Sequence, residues 1–328
     1  MSWLRAFGRF FEQKIGLHRL GVALSVIIIA IAAVVLYRKL HNINVSKVLT
    51  AMATVEYRDV AISALFVAAG YFTLTFYDLF ALRTIGRKDV PYRVAALAGF
   101  TSYSVGHNVG ASVFTGGAVR YRIYSAWGLD AIEVAKICFI AGLTFWLGNI
   151  TVLGFGFAYH PQAASHIDQL PLWLNRLLGI AALAVLASYI AWVWRTPRVI
   201  GRQNWQVQLP NGPLTLVQIV IGIVDLTCCA AAMYVLVPND PPMQFIDVAV
   251  IFITATLLGF ASHAPGGLGV FDAAMLIALW EYDAEELLAG LLIFRLLYYI
   301  LPFALALAVL GIREFKLHFL EWRNVGDR

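Results

Sequence analysis

Charge is what this sequence has least of. Asp, Glu, Lys and Arg make up 13% of its 328 residues while apolar types make up 61%, against roughly a quarter charged in soluble domains. A water-soluble domain is thereby excluded, and most of the chain's surroundings must be lipid. Cysteine is scarce as well: Cys138, Cys228 and Cys229 all sit inside apolar runs. That placement excludes a disulfide scaffold, shows no metal-ligand spacing and makes them small packing residues. A glycine-rich nucleotide-binding motif is missing too, which argues against ATP-driven pumping within this chain. The net charge of +5 does not imply nucleic acid, because the basic residues fall in short loops between apolar runs and report orientation.

What is present is a series of long apolar segments. Leu20 to Leu36, Val60 to Leu82, Ile137 to Ala158, Leu177 to Trp194, Leu214 to Val237 and Leu287 to Leu310 are each long enough, at about 18 residues or more, to cross the hydrocarbon as helices. The first follows Arg5, Arg9, Lys14 and Arg19 but has too long an apolar core and no small-residue cleavage pattern, so it reads as an uncleaved anchor. Trp146, Trp173, Trp192 and Trp194 near helix ends fit an interfacial aromatic belt.

Two further apolar stretches, Val94 to Val119 and Val248 to Leu279, are interrupted by Gly, Pro, Ser and His. Non-helical backbone at membrane depth has to be buried in protein or line a cavity, because lipid cannot satisfy its N–H and C=O groups. Each stretch is therefore expected to be a re-entrant hairpin. With both termini cytoplasmic, eighteen of the 24 Lys and Arg residues then lie inside, and the acidic cluster Glu281, Asp283, Glu285 and Glu286 lies outside. The loop carrying Arg38, Lys39 and Lys47 is an exception to the positive-inside pattern.

The same topology exposes an internal repeat. Val60 and Leu214 open corresponding helices 154 residues apart, Gly106-His107-x-x-Gly110 recurs as Ser262-His263-x-x-Gly266 at an offset of 156, and Ile137 and Leu287 open closing helices at an offset of 150. The expected fold class is all-α: a polytopic integral membrane protein with about six spanning helices and two re-entrant hairpins in an inverted repeat. It forms a single domain, residues 1–328, with halves at about 18–159 and 172–311. Paired Gly/Pro-interrupted segments in inverted halves are what transporters use to place a substrate site near the midplane.

Ionisable side chains inside the membrane are costly and generally face a partner or a cavity. The candidates are Asp78, Asp225, Asp272 and Arg295. Arg295 can form a structural pair with Asp272 or Asp225, or offer its planar donor fork to a lipid phosphate. Arg120 and Arg122 follow Gly116-Gly117, and a helix starting after that pair would aim N–H groups at an anion. His107 and His263 read as satisfied by neighbouring backbone or, alternatively, as proton relays.

The stretch Ser262-His263-Ala264-Pro265-Gly266-Gly267-Leu268-Gly269-Val270-Phe271-Asp272 resembles the Pro-Gly-Gly-x-Gly-x-Phe-acidic motif of the lysylphosphatidylglycerol synthetase/flippase family, the multiple peptide resistance factors, in its N-terminal transmembrane flippase region. Gly106-His107-Asn108-Val109-Gly110 through Gly116-Gly117-Ala118-Val119-Arg120 resembles the first Asn/Gly-rich motif of that family, and Arg295 with Pro302 its late helix. The resemblance covers nearly the whole chain and extends to stand-alone members of the superfamily. It implies a flippase that moves an aminoacylated or otherwise modified phospholipid, such as lysylphosphatidylglycerol, to the outer leaflet of a bacterial inner membrane, a route to antimicrobial peptide resistance. Asn108, Gly110 and Arg120 would line one side of the path, and Pro265, Gly266, Gly267, Gly269, Asp272 and Arg295 the other.

A non-enzymatic transporter is thus expected, without the aminoacyltransferase domain of two-function family members and without a cofactor or metal. Asp78, Asp225 or Asp272 would accept a cationic headgroup. The expected partners are the phospholipid substrate, membrane lipids, a separate lipid-modifying enzyme and further copies of the chain, with no nucleic acid. Two other classes compete. A scaffold docking a lipid-modifying enzyme has no need for irregular backbone at membrane depth. An intramembrane two-aspartate protease would pair Tyr77-Asp78 with Asp272, but Val270 and Phe271 intervene where the aspartate should follow the glycine directly.

Overall fold

The structure, a computed structural model, describes residues 17–326 apart from 42, 111, 197, 203 and 204. Arg5, Arg9, Lys14 and Arg328, which the orientation argument used, lie outside the described residues. The helices are α1 (Leu17–Leu40), α2 (Val45–Thr54), α3 (Tyr57–Thr84), α4 (Tyr92–Val109), α5 (Ser112–Tyr124), α6 (Ala131–Tyr159), α7 (Pro161–Asp168) and α8 (Leu172–Val193). A two-stranded antiparallel ribbon, β1 (Val199–Arg202) and β2 (Trp205–Gln208), which sequence reading did not foresee, leads to α9 (Gly212–Tyr234). Then come α10 (Phe245–Ala261), a turn at Pro265–Gly267, α11 (Val270–Ala278), α12 (Ala284–Arg295), a π-helical segment (Leu296–Ile300) and α13 (Leu301–Gly326).

The protein is an all-α polytopic membrane protein. Among the described residues, α3, α6, α8, α9 and the continuous α12–π–α13 rod are long and apolar enough to cross a bilayer. The expected first span is also one helix, α1, laid against α11. Both interrupted stretches fold as helical hairpins, α4 packing back on α5 and α10 on α11. The order helix, hairpin, helix thus occurs twice. Each hairpin's first arm rests on the helix preceding it and on the helix that closes the other half: α4 on α3 and α13, α10 on α9 and α6.

Capping chemistry sets the helix ends. Asp130 accepts from the Glu133 backbone N–H (2.7 Å) while the Glu133 side chain receives the Asp130 N–H (3.1 Å), a complete capping box that opens α6. Arg87, in the loop before α4, donates to Asp89, to Glu133 and to the Trp127 carbonyl, tying that loop to the start of α6. Its hydrogen bond holds the Asp89 carboxyl below the usual carboxylate range. The clamp therefore acts above that range and is lost as the pH falls through the lowered value.

Between helices in lipid there is no hydrophobic driving force, so close packing of small residues and interhelical hydrogen bonds hold the bundle. At the α6/α9 crossing a Cβ added to Gly148 would lie 2.8 Å from the Gly222 Cα. One turn away Gln218 donates to Thr144 (2.8 Å). Gly148→Val should force the two backbones apart and lower stability by about 1–3 kcal/mol. Thermal unfolding in detergent measures this, and an unchanged melting temperature would show that the crossing yields without cost.

The helix expected to begin after Gly116-Gly117 does not. Helix α5 starts at Ser112 and runs through both glycines, so no free N–H groups are presented there. The glycines instead permit close packing: a Cβ on Gly116 would stand 3.1 Å from the Ser102 carbonyl of α4.

Candidate functional site

The two hairpin tips meet. Helix α4 ends at Gly110, with φ of 82°, a left-handed conformation that favours glycine. A Cβ there would lie 3.4 Å from both the His263 carbonyl and the Pro265 Cα of the other tip. That second tip turns on His263, Gly266, Gly267 and Gly269, all with positive φ, so the chain reverses within a few residues. It then opens α11, where Asp272 accepts the Gly269 backbone N–H (3.0 Å) and places its carboxylate at the positive end of the helix.

Pro302 explains what lies beside the tips. Proline has no N–H to offer the carbonyl four residues back, and the helix passes through a π-helical segment just before it. Two carbonyls in that segment find partners elsewhere: Tyr298 O accepts from the Tyr71 hydroxyl (3.0 Å) and Tyr299 O from Asn108 Nδ2 (3.1 Å). Insertions of this kind are frequent at functional sites. Asn108, singled out from its glycine-rich surroundings, thus joins the first hairpin tip to the rod that carries Arg295.

Arg295 Nε and Nη2 donate to Asp272 Oδ1 and Oδ2 (2.9 and 2.6 Å), and Nη1 donates to the Gly266 carbonyl (3.1 Å). Its guanidinium carbon lies 5.7 Å from the Phe271 ring centre and 5.5 Å from that of Tyr299. Three of the five guanidinium N–H groups are accounted for. Of the two readings of Arg295, the pair with Asp272 is the arrangement present, and it clamps the Pro-Gly-Gly turn.

Arg120 makes a second pair. Its Nε and Nη2 donate to Asp78 (3.0 and 2.7 Å), the Tyr124 hydroxyl donates to the same carboxylate (2.8 Å), and the guanidinium lies 4.9 Å from the Tyr103 ring centre. Arg120 and Asp78 are both buried, so the pair joins α5 to α3 inside the bundle. Arg122 instead reaches Glu314 on α13.

The remaining carboxylate stands apart. Asp225 on α9 is buried and contacts Tyr77 Oη (3.0 Å), Thr73 Oγ1 (3.3 Å) and Cys229 Sγ (3.9 Å). His107 lies between the Tyr103 and Tyr298 rings with its Nδ1 buried and without a hydrogen bond, whereas exposed His263 contacts Ser25 Oγ and the Ala261 carbonyl. No group of His, Cys, Asp or Glu suited to a metal occurs among the described residues. Beside this cluster an apolar cavity of about 440 Å³ lies between α3, α4 and the π–α13 rod, lined by residues such as Ala68, Phe72, Leu97, Phe100, Leu301 and Leu305.

Asn108, Gly110, Pro265, Gly266, Gly267, Gly269, Asp272 and Arg295 therefore gather at one junction, while Arg120 and Asp78 pair at the other end of the first hairpin. Sequence reasoning missed Tyr71, Tyr124 and the Tyr298-Tyr299 pair. The signal for Tyr298 was available, since it stands four residues before Pro302.

No family model matches the chain. Among characterised and uncharacterised proteins, it is 29% identical over 313 residues to an uncharacterized protein of Synechocystis sp., covering 95% of this chain and 96% of that one. It is 29% identical over 265 residues to inner membrane protein YbhN of Escherichia coli, covering 79% and 81%. A third relative, phosphatidylglycerol lysyltransferase of Staphylococcus haemolyticus, is 27% identical over 296 residues, which are 89% of this chain and 33% of that enzyme. The chain spans about a third of the length of the lysyltransferases it matches. It is thus a homologue of YbhN and, over about a third of their length, of the phosphatidylglycerol lysyltransferases, as the Pro-Gly-Gly and late-helix motifs indicated.

Proposed function

We propose that the chain is a lipid flippase, moving a modified phospholipid, with lysylphosphatidylglycerol as the first candidate, from the inner to the outer leaflet of a bacterial inner membrane. The observation that carries this reading is the junction of the two hairpin tips against the π segment. Helix α5, with 13 residues, and α11, with 9, reach only about 20 and 14 Å at 1.5 Å per residue, short of the roughly 30 Å of hydrocarbon. Two re-entrant hairpins entering from opposite sides, in inverted halves at about 18–159 and 172–311 of one domain, account for both arms ending at a shared point. Both termini are then cytoplasmic.

The chemistry at the junction suits an anionic headgroup passing through a membrane. Arg295 keeps N–H groups beyond those given to Asp272 and Gly266, and these would hold the phosphate while Asn108 and the left-handed glycines of the second tip line its path. Asp272 would balance a cationic headgroup substituent. The apolar cavity between α3, α4 and α13 opens beside the junction and suits an acyl chain that stays in lipid while the headgroup crosses. The related lysyltransferases are named for transfer of a lysyl group to phosphatidylglycerol; supply of the modified lipid by a separate enzyme is the matching proposal for a partner here.

The test is reconstitution in liposomes containing lysylphosphatidylglycerol, with the exposed outer-leaflet amine measured over time by a membrane-impermeant amine reagent. Wild-type protein should equilibrate the lipid between leaflets, and Asn108→Ala should slow it several-fold while remaining folded. Leaflet exchange no faster than in protein-free liposomes would overturn the reading.

A further inference from the structure

Of the three carboxylates singled out inside the apolar runs, two are neutralised by arginine: buried Asp78 by Arg120 and half-buried Asp272 by Arg295. Asp225 is not. The titratable groups facing it are Tyr71 and Tyr77 from α3, Tyr103 from α4, Cys228 and Cys229 from its own helix, and Tyr298 from the π segment. Among the described residues none of α6, α8, α10 or α12, also packed on or near α9, brings a cation to it.

A threonine hydroxyl has one proton to give, and Thr73 Oγ1 sits 2.6 Å from the Gly70 carbonyl, which can only accept. The same hydroxyl is also set to donate to Asp225 Oδ1 at 3.3 Å, the longer of its two contacts, so the carboxylate receives at most a shared proton from it; a charge buried with so few donors and no cation beside it favours the neutral, protonated acid. Tyr77 donates to the other oxygen at 3.0 Å. Gly70 packs directly against the group: a Cβ there would be in ordinary contact, 3.6 Å from Asp225 Oδ1 and 3.5 Å from Cys229 Sγ.

The site also reaches the hairpin junction. Cys229 contacts the Tyr298 hydroxyl (3.6 Å), the Tyr298 ring stacks on His107 of the first tip, and the Tyr298 carbonyl takes the Tyr71 hydroxyl. Loss of the proton would leave a buried charge without a cation at the α3/α9 contact, and that contact supports the segment against which the tips rest.

We propose that Asp225 is a proton-carrying site that couples lipid movement to a transmembrane pH difference. The inference rests on the flippase reading. A proton binds the carboxylate from one side and leaves to the other as the hairpins exchange exposure, and no bond in the lipid is made or broken. At one proton per lipid, a difference of one pH unit can support up to about a tenfold leaflet asymmetry.

Two measurements test it. In the purified full chain at neutral pH, difference infrared spectroscopy should show a protonated carboxylic acid band that is missing in Asp225→Asn; absence of that band from the wild type, or its persistence in Asp225→Asn, overturns the proton site whatever the protein transports. In the liposome assay, an imposed pH difference should drive wild-type protein toward leaflet asymmetry, reversing when the gradient is reversed. In Asp225→Asn, an isosteric neutral stand-in for the acid, lipid should settle at the same distribution with or without a gradient. A gradient response in Asp225→Asn equal to wild type, or wild-type exchange indifferent to the gradient, overturns the coupling. Failure of every variant to exchange lipid overturns the transport reading instead, and coupling with it.

Discussion

Arg120→Ala is expected to lower stability by about 3–5 kcal/mol, because it leaves the Asp78 carboxylate buried without its counter-charge. Asp78 has no exposed surface, and Arg120 is 6% exposed, so solvent can replace little of what is lost. The Tyr124 hydroxyl would remain, at 2.8 Å, and a single neutral donor does not offset a missing guanidinium. Asp78→Asn should be similarly costly, since it strands the arginine. The double variant Asp78→Leu with Arg120→Met should be far milder than the sum, because replacing both charges by apolar groups removes the burial penalty along with the attraction. Thermal unfolding in detergent, read as a double-mutant cycle, measures the coupling. A single Arg120→Ala variant within about 1 kcal/mol of wild type would show that the pair is not what fastens α5 to α3, a threshold well below the usual cost of breaking a buried pair.

Arg295→Ala should reduce lipid exchange by roughly 10- to 100-fold, the equivalent of losing a charge-assisted hydrogen bond worth about 1.5–3 kcal/mol. The arginine holds both oxygens of Asp272 and the Gly266 carbonyl at once. Arg295→Lys is the sharper variant: it keeps the charge but loses the planar fork, and one ammonium cannot span those three acceptors with the same geometry. It should therefore fold yet still exchange lipid several-fold more slowly than wild type. Asp272→Asn should behave likewise, because the Gly269 N–H keeps an acceptor while the counter-charge is lost. Full exchange rates in the lysine variant would show that a positive charge alone is needed there and that the clamp on the turn plays no part.

Much of the architecture was legible because lipid is an unforgiving solvent. A backbone that must satisfy its own hydrogen bonds leaves long apolar runs only one conformation, so the spanning helices could be read from hydropathy. The glycines and proline around Gly110 and Gly266 marked the two reversals for the same reason. The Asp272 and Arg295 pair was a candidate from the sequence, as the alternative to a free phosphate ligand, since two opposite charges inside apolar runs have few other partners.

Pairing across long separations was not legible in the same way. Arg120 and Asp78 are 42 residues apart, and Asn108 is 191 residues from Tyr299; whether such groups meet depends on helix rotation, where one residue turns a side chain by about 100°. The π segment changes that rotation locally, so no periodicity argument reaches through it. The Gly116-Gly117 pair misled for a related reason: glycine can end a helix or let two helices touch, and only the Ser102 carbonyl 3.1 Å from an added Cβ decides between them. By itself, then, the sequence determined the membrane setting, the helical class and the two broken hairpins, through local backbone chemistry in lipid. The tertiary structure decided which carboxylates are neutralised by arginine, and that Asp225 is not, because charge balance inside a bundle is set by what surrounds each group in three dimensions.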